Sequence, residues 1–187
     1  MKNIFWGFFF LFVNFNLTVN GHTLNVLPPF VGCWLLYQGF GDMEAESDRF
    51  NALRPFAVGL GVYTALLWIG NLLGVSAGSW IGVLLGIVAS VVELYIAWGV
   101  IQGLREVEAR RQADLNTPAM YKAWTVLLVT QIAVYVIQLL GFVLWSLAAA
   151  LAVVCIVAGL LGIIFFLVAV WRAQKYYGAL PPLQAEL

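Results

Sequence analysis

The chain has 187 residues, of which 63% are apolar and only 10% charged, and its mean hydropathy is +0.95. A water-soluble domain typically has about 25% charged and about half apolar residues, so this composition excludes a soluble globular protein and predicts an integral membrane protein. The net charge is zero, with nine basic and nine acidic residues, and such a balance gives no indication of a nucleic-acid partner.

Six apolar segments follow one another along the chain, and each is a candidate membrane span. A helix needs roughly 20 apolar residues to cross a bilayer, and residues 55–74, 80–102, 123–144 and 148–171 meet this requirement. Residues 4–19 and 24–40 are shorter, and the second segment contains Pro28 and Pro29, which start or break a helix. Two alternatives therefore stay open. Residues 24–40 could re-enter the membrane without crossing it, and residues 1–20 could be a cleaved signal peptide, although the small-residue cleavage pattern is missing.

The distribution of charge favours six crossings with both termini in the cytoplasm. In that arrangement the three outer loops, near residues 20–23, 75–79 and 145–147, contain no Lys, Arg, Asp or Glu. Basic residues accumulate on the cytoplasmic side of membrane proteins, and here all nine would lie on that side. They are Lys2, Arg49, Arg54, Arg105, Arg110, Arg111, Lys122, Arg172 and Lys175.

We therefore predict an all-α fold, a polytopic transmembrane helical bundle in the cell membrane. It is expected to form a single transmembrane domain over residues 1–187. Three tandem helical hairpins, at approximately 1–46, 54–110 and 121–175, precede a short cytoplasmic tail at 176–187. The expected partners are the lipid bilayer and either a second copy of the chain or another membrane protein.

Glu93 is the only charged residue within a predicted span. At about 1.5 Å per residue, it lies roughly 13 Å from residue 102 and roughly 19 Å from Trp80, close to the bilayer midplane. An ionisable group at this depth costs about 2.5–3.5 kcal/mol, so it usually faces other helices or a wet cavity and indicates function. Small residues share its helix face, and Gly82 and Gly86 have the spacing of a close helix–helix contact. We expect this face to pack against a neighbouring helix.

A polar stripe on the fifth span is the expected neighbour of Glu93. Gln131, Tyr135 and Gln138 are spaced i, i+4, i+7 and fall on one face of a helix. Gln131 and Tyr135 would bracket the depth of Glu93, and either could form a hydrogen bond with its carboxyl. Two interpretations stay open: a structural hydrogen bond between helices, or an ion or proton site.

No other motif predicts chemistry. Cys33 and Cys155 lie in apolar segments without metal-ligand spacing, and His22 is the only histidine, so neither a disulfide nor a metal site is expected. Catalytic and phosphate-binding motifs are missing. The sequence therefore predicts no cofactor and does not favour an enzyme.

The N-terminal segment carries one distinctive pattern. It reads Leu27-Pro28-x-Phe30-x-Gly32-x-x-Leu35-x-x-x-Gly39-Phe40 and is followed by Ser47, Phe50 and Arg54-Pro55. This stretch resembles the N-terminal half of small polytopic membrane proteins of Gram-positive anaerobes, and the resemblance covers about residues 5 to 60. In those proteins the residue after the first proline is usually acidic, whereas here it is Pro29. The resemblance implies a membrane fold and no particular activity, because none is assigned to that group.

Two functions fit these observations. The favoured hypothesis is a membrane-embedded accessory or scaffold subunit, since the chain is small and its predicted outer loops are very short. The alternative is a small proton- or cation-linked carrier or channel that uses Glu93.

Overall fold

The computed structural model describes residues 1–13, 16–19, 22–25, 27–72, 80–140 and 145–181. Six helices and one short β-hairpin make up this part of the chain, and the predicted helical bundle is confirmed. In chain order the elements are α1 (Lys2–Phe12), β1 (Asn16–Val19), β2 (His22–Asn25), α2 (Pro29–Asp42), α3 (Asp48–Leu72), α4 (Trp80–Arg111), α5 (Thr117–Leu140) and α6 (Trp145–Gly178).

Four helices are long and apolar enough to cross a membrane. The segments that meet this criterion are Asp48–Gly70, Gly82–Arg111, Thr117–Gln138 and Ala150–Gly178. These helices extend beyond the apolar segments found in the sequence: α3 begins at Asp48, which leaves Pro55 inside the helix, and α6 continues to Gly178. The predicted hairpin boundaries at 54 and 175 are therefore too narrow, because charged residues continue these helices past the apolar part.

The first two predicted spans, residues 4–19 and 24–40, do not form continuous helices. α1 has 11 residues and α2 has 14, whereas a helix that crosses a bilayer needs roughly 20. Between them β1 and β2 pair antiparallel, with Asn16 opposite Asn25 and Val19 opposite His22. Only the dipeptide 20–21, Asn-Gly, separates the strands, and Asn-Gly is a strong sequence signal for a two-residue hairpin connection. This hairpin is the one departure from the all-α prediction in the described part of the chain.

Glycine contacts hold α1 and α2 together as an antiparallel pair. A Cβ built on Gly32 would lie 2.6 Å from the carbonyl oxygen of Gly7, and one built on Gly39 would lie 2.7 Å from Cγ1 of Ile4. Backbones that approach this closely leave room only for glycine, as at other small-residue interfaces between membrane helices. Gly32 and Gly39 belong to the distinctive N-terminal pattern, so in this chain they have a packing role.

The interior is closely packed in only one half of the bundle. On α4, Ile96, Val100 and Leu104 are fully buried, whereas none of the described side chains from residues 82 to 95 is buried. On α6, the described side chains from residues 150 to 161 are likewise not buried, and burial begins at Gly162. Aromatic rings fill much of the packed half, which contains the buried Phe8, Phe40, Phe50 and Phe166.

The charged ends of the helices meet beyond this packed half. The Arg111 guanidinium pairs with the buried Glu46 carboxylate, and the Tyr177 hydroxyl donates a 2.7 Å hydrogen bond to the same carboxylate. The Asn3 amide donates a 3.0 Å hydrogen bond to Asp42. These contacts connect the N-terminus, the α2–α3 connection, the end of α4 and the end of α6. The segments of the chain that carry the charges outside the predicted spans therefore lie together at one end of the bundle, which we call the charged end.

Candidate functional site

A polar cavity lies at the level where the packed half of the bundle ends. Its volume is about 270 Å³, and residues from all six helices line it. A water molecule occupies about 30 Å³ of liquid volume, so the cavity has room for several. Its polar lining consists of Thr64, Ser90, Glu93, Thr130 and Gln131.

The ends of the two short helices make this space. Leu11 and Phe12, the last turn of α1, line the cavity together with Pro29, the first residue of α2. α2 begins here because proline lacks the backbone N–H that a helix interior requires and is well suited to the first helical position. Neither helix continues alongside α4 beyond this level, so the rest of the described lining comes from the four long helices.

Among the described residues that line the cavity, Glu93 carries the only carboxyl group. It lies on α4 roughly 18 Å along the helix axis from Arg105 and roughly 20 Å from Trp80, and it is partly exposed to the cavity. Within the described residues, neither a hydrogen-bond donor nor a cation compensates its carboxyl. Desolvation disfavours the charged form of such a group. The carboxyl therefore either binds a proton or needs a cation or water next to it.

Ser90, one turn before Glu93, receives the hydrogen bonds expected for Glu93. The Tyr135 hydroxyl donates to Ser90 Oγ at 2.9 Å, and Gln131 Nε2 donates to the same oxygen at 3.4 Å. Ser90 in turn donates to the Gly86 carbonyl oxygen at 3.0 Å, which completes the one donor and two acceptor positions of a hydroxyl. The expected direct bond from Gln131 or Tyr135 to Glu93 is therefore wrong. The serine ties α5 to α4 and leaves the carboxyl unpaired.

Two other predicted contacts differ from the structure. Gln138 is exposed and is not among the described residues that line the cavity. The close packing predicted at Gly86 does not come from the described residues, since none of their atoms lies within 4 Å of a Cβ built there. Among the described residues, α4 has close contacts at Gly99 and Gly103, which face side chains of α3.

Sequence reasoning missed the hydroxyl groups of the lining. Ser90 was recognisable only as a small residue on the face of Glu93, and hydroxyl side chains are unremarkable in membrane helices because they can bond to their own backbone. Thr64 does so, donating to the Leu60 carbonyl oxygen at 2.9 Å. The Trp124 indole Nε1 donates to the Leu94 carbonyl oxygen at 2.9 Å, a further link between α5 and α4 next to the site.

The donor set defines what the cavity can bind. In the described part of the chain, no group of three or more His, Cys, Asp or Glu side chains comes together, so these residues do not form a multidentate transition-metal site. The available ligands are one carboxylate, hydroxyl groups and the amide of Gln131. These oxygen ligands suit a proton, a small monovalent cation or a protonated amine.

The fold and the cavity define this chain as an integral membrane protein of the helical-bundle class, with a polar cavity inside the bundle. Comparisons with models of protein families, with curated proteins and with solved structures give no match. The resemblance carried by residues 27–55 therefore stays a prediction.

Proposed function

We propose that this protein is a small membrane carrier that binds a proton or a small monovalent cation at Glu93. The observation that carries this proposal is an acidic side chain deep in the bundle, facing a cavity with room for water and lacking a compensating group among the described residues. A carboxyl that serves only as a structural contact between helices is expected to have a hydrogen-bond partner. Here that structural role belongs to Ser90.

The packing of the bundle supports alternating access to the site. Toward the charged end, fully buried side chains such as Ile96, Val100 and Leu104 separate Glu93 from the membrane surface. In the other direction, none of the described side chains of α4 between residues 82 and 95 is buried. The site thus lies at the inner end of the less packed half, and transport requires the packed half to open in turn.

The proposed orientation places the charged end in the cytoplasm. All nine basic residues belong to the segments that form this end, as the positive-inside rule requires. α1 together with β1, and β2 together with α2, can then complete the first two crossings. Eleven helical residues of α1 rise roughly 16 Å, and four strand residues add roughly 13 Å, together about the 30 Å of the hydrocarbon core. Strands at this depth need cover from protein, and β2 lies next to α3.

The Glu93→Gln variant tests whether transport requires the carboxyl group of Glu93 while the fold is kept. The purified protein is reconstituted into vesicles that contain a dye sensitive to protons, to sodium or to potassium, in separate preparations. Uptake of each cation is driven by an imposed membrane potential. The variant should reduce uptake to the leak rate of protein-free vesicles, because the amide keeps the shape of the side chain but carries no negative charge and does not titrate. Its thermal stability should equal that of the wild type, since no hydrogen bond is lost within the described residues.

Glu44→Gln is the matched control. It removes the same charge from an exposed carboxylate at the charged end, and it should leave uptake unchanged. Wild-type vesicles that take up none of the three cations, or a Glu93→Gln variant as active as the wild type, would contradict the carrier proposal.

An accessory subunit is the second candidate, favoured by the contacts at the charged end. The Glu46–Arg111 pair and the Tyr177 hydroxyl hold three segments in one arrangement, and a fixed surface of this kind suits a permanent partner. For this function the purified protein should show no uptake, and cross-linking in membranes from an exposed position such as Glu44 should give one defined hetero-complex.

A further inference from the structure

The second half of the chain carries a groove on the outside of the bundle, separate from the Glu93 cavity. α5 and α6 run antiparallel, and the groove between them has a volume of about 420 Å³. Its deeper part is lined by Val126, Phe165 and Val168, all exposed. Its mouth at the charged end is lined by Asn116, Lys122 and Arg172.

The two basic residues at the mouth have no acidic partner in the described part of the chain. The three ion pairs there join Arg49 to Glu106, Arg54 to Glu44 and Arg111 to Glu46. Lys122 and Arg172 are both exposed, and neither lies over an aromatic ring as Arg105 and Lys175 do. Two neighbouring cations without a counter-charge make the mouth of the groove a positively charged site.

The groove continues from these cations toward the middle of the membrane. Arg172 and Ile164, which both line it, are separated by roughly 12 Å along the axis of α6. Over this distance its described lining is apolar beyond the mouth. A ligand that fits must therefore carry negative charge at the membrane surface and an apolar chain below it.

We propose that this groove binds an anionic phospholipid. The phosphate lies between Lys122 and Arg172, where Asn116 can donate a further hydrogen bond, and one acyl chain occupies the apolar part. Basic pockets between membrane helices on the cytoplasmic side are suited to such headgroups, and the guanidinium of arginine matches the geometry of a phosphate. A second copy of this chain is a less suitable occupant, because it would bring its own two cations to the same interface.

Native mass spectrometry of the detergent-solubilised protein measures this binding directly. Phosphatidylglycerol and phosphatidylcholine with identical acyl chains are titrated in separate experiments, and the fraction of protein carrying lipid gives a dissociation constant for each. The wild type should bind phosphatidylglycerol more tightly. Lys122→Gln combined with Arg172→Gln should weaken that binding about 25-fold, since each basic residue near an anionic headgroup contributes roughly a factor of five. Binding of phosphatidylcholine should change little.

Two further variants separate the groove from general charge attraction. Arg105→Gln combined with Lys175→Gln removes the same charge from the same end of the bundle but outside the groove, and it should leave the preference for phosphatidylglycerol unchanged. Val168→Trp fills the groove at an exposed position and should weaken the binding of phosphatidylglycerol although both cations remain. Equal losses in the two charge variants, unchanged binding in Val168→Trp, or a dimer that excludes lipid would each overturn the proposal.

Discussion

The contact between α3 and α4 gives the most direct test of the described packing. A Cβ built on Gly103 would lie 2.8, 3.0 and 3.2 Å from three atoms of the Phe50 ring. Phe50 is fully buried, and its ring stacks on the buried Phe40 with centroids 6.2 Å apart, so it has little space to move away. The extra methyl group of Gly103→Ala should therefore add packing strain of about 1–3 kcal/mol.

Gly86→Ala is the internal control on the same helix. No described atom lies within 4 Å of a Cβ there, so the substitution adds no steric strain. Alanine favours helix formation over glycine by as much as about 1 kcal/mol, and this gain is common to both variants. The difference in unfolding free energy between the variants therefore isolates the cost of the Phe50 contact, about 1–3 kcal/mol.

Unfolding by sodium dodecyl sulfate in mixed micelles, followed by circular dichroism, gives both free energies. Phe50→Leu should reduce the effect of Gly103→Ala, because the smaller side chain leaves room for the new methyl group, and a double-mutant cycle measures this coupling. Equal stabilities of Gly103→Ala and Gly86→Ala would refute the reasoning, since α3 and α4 would then be farther apart than described.

Two further predictions concern the charged end. Arg111→Met should lower the unfolding free energy by about 3–5 kcal/mol in the same assay, because it leaves the buried Glu46 carboxylate without its cation; Arg110→Met, at an exposed residue, should cost less than about 1 kcal/mol. With Cys33 and Cys155 replaced, single cysteines at the exposed Ala45 and Ala109 should resist a membrane-impermeant thiol reagent in intact cells and react after permeabilisation. Reaction of either one in intact cells would contradict the proposed orientation.

The sequence predicted those features that depend on long uniform patterns. Four helices were recognisable because each contains an apolar segment of sufficient length. Glu93 stood out because a charge is rare within such a segment. Gln131 could be placed near it, because helical spacing alone brings residues of one face together, and both residues line the cavity.

The features that were missed depend on how the helices meet. Gly99-xxx-Gly103 has the same spacing as Gly82-xxx-Gly86, and only the position of α3 decides that Gly99 and Gly103 face its side chains. Ser90 becomes the acceptor for Tyr135 through the rotation of α4 against α5, which a single helix does not specify. The hairpin β1–β2 is different, because the Asn-Gly dipeptide was available as a local signal and the apolar composition outweighed it.

The charge of the ligand follows from the elements that end at the cavity. α1 runs from the charged end to the cavity, where it presents the partial negative charge of a helix C-terminus. α2 begins at the cavity and presents the partial positive charge of a helix N-terminus. These opposite partial charges, at neighbouring helix ends, largely cancel. The long helices pass the cavity without ending at it, so they add no dipole of this kind. Glu93 is then the only ionisable carboxyl of the described lining, and for this reason the proposed ligand is a proton or a cation.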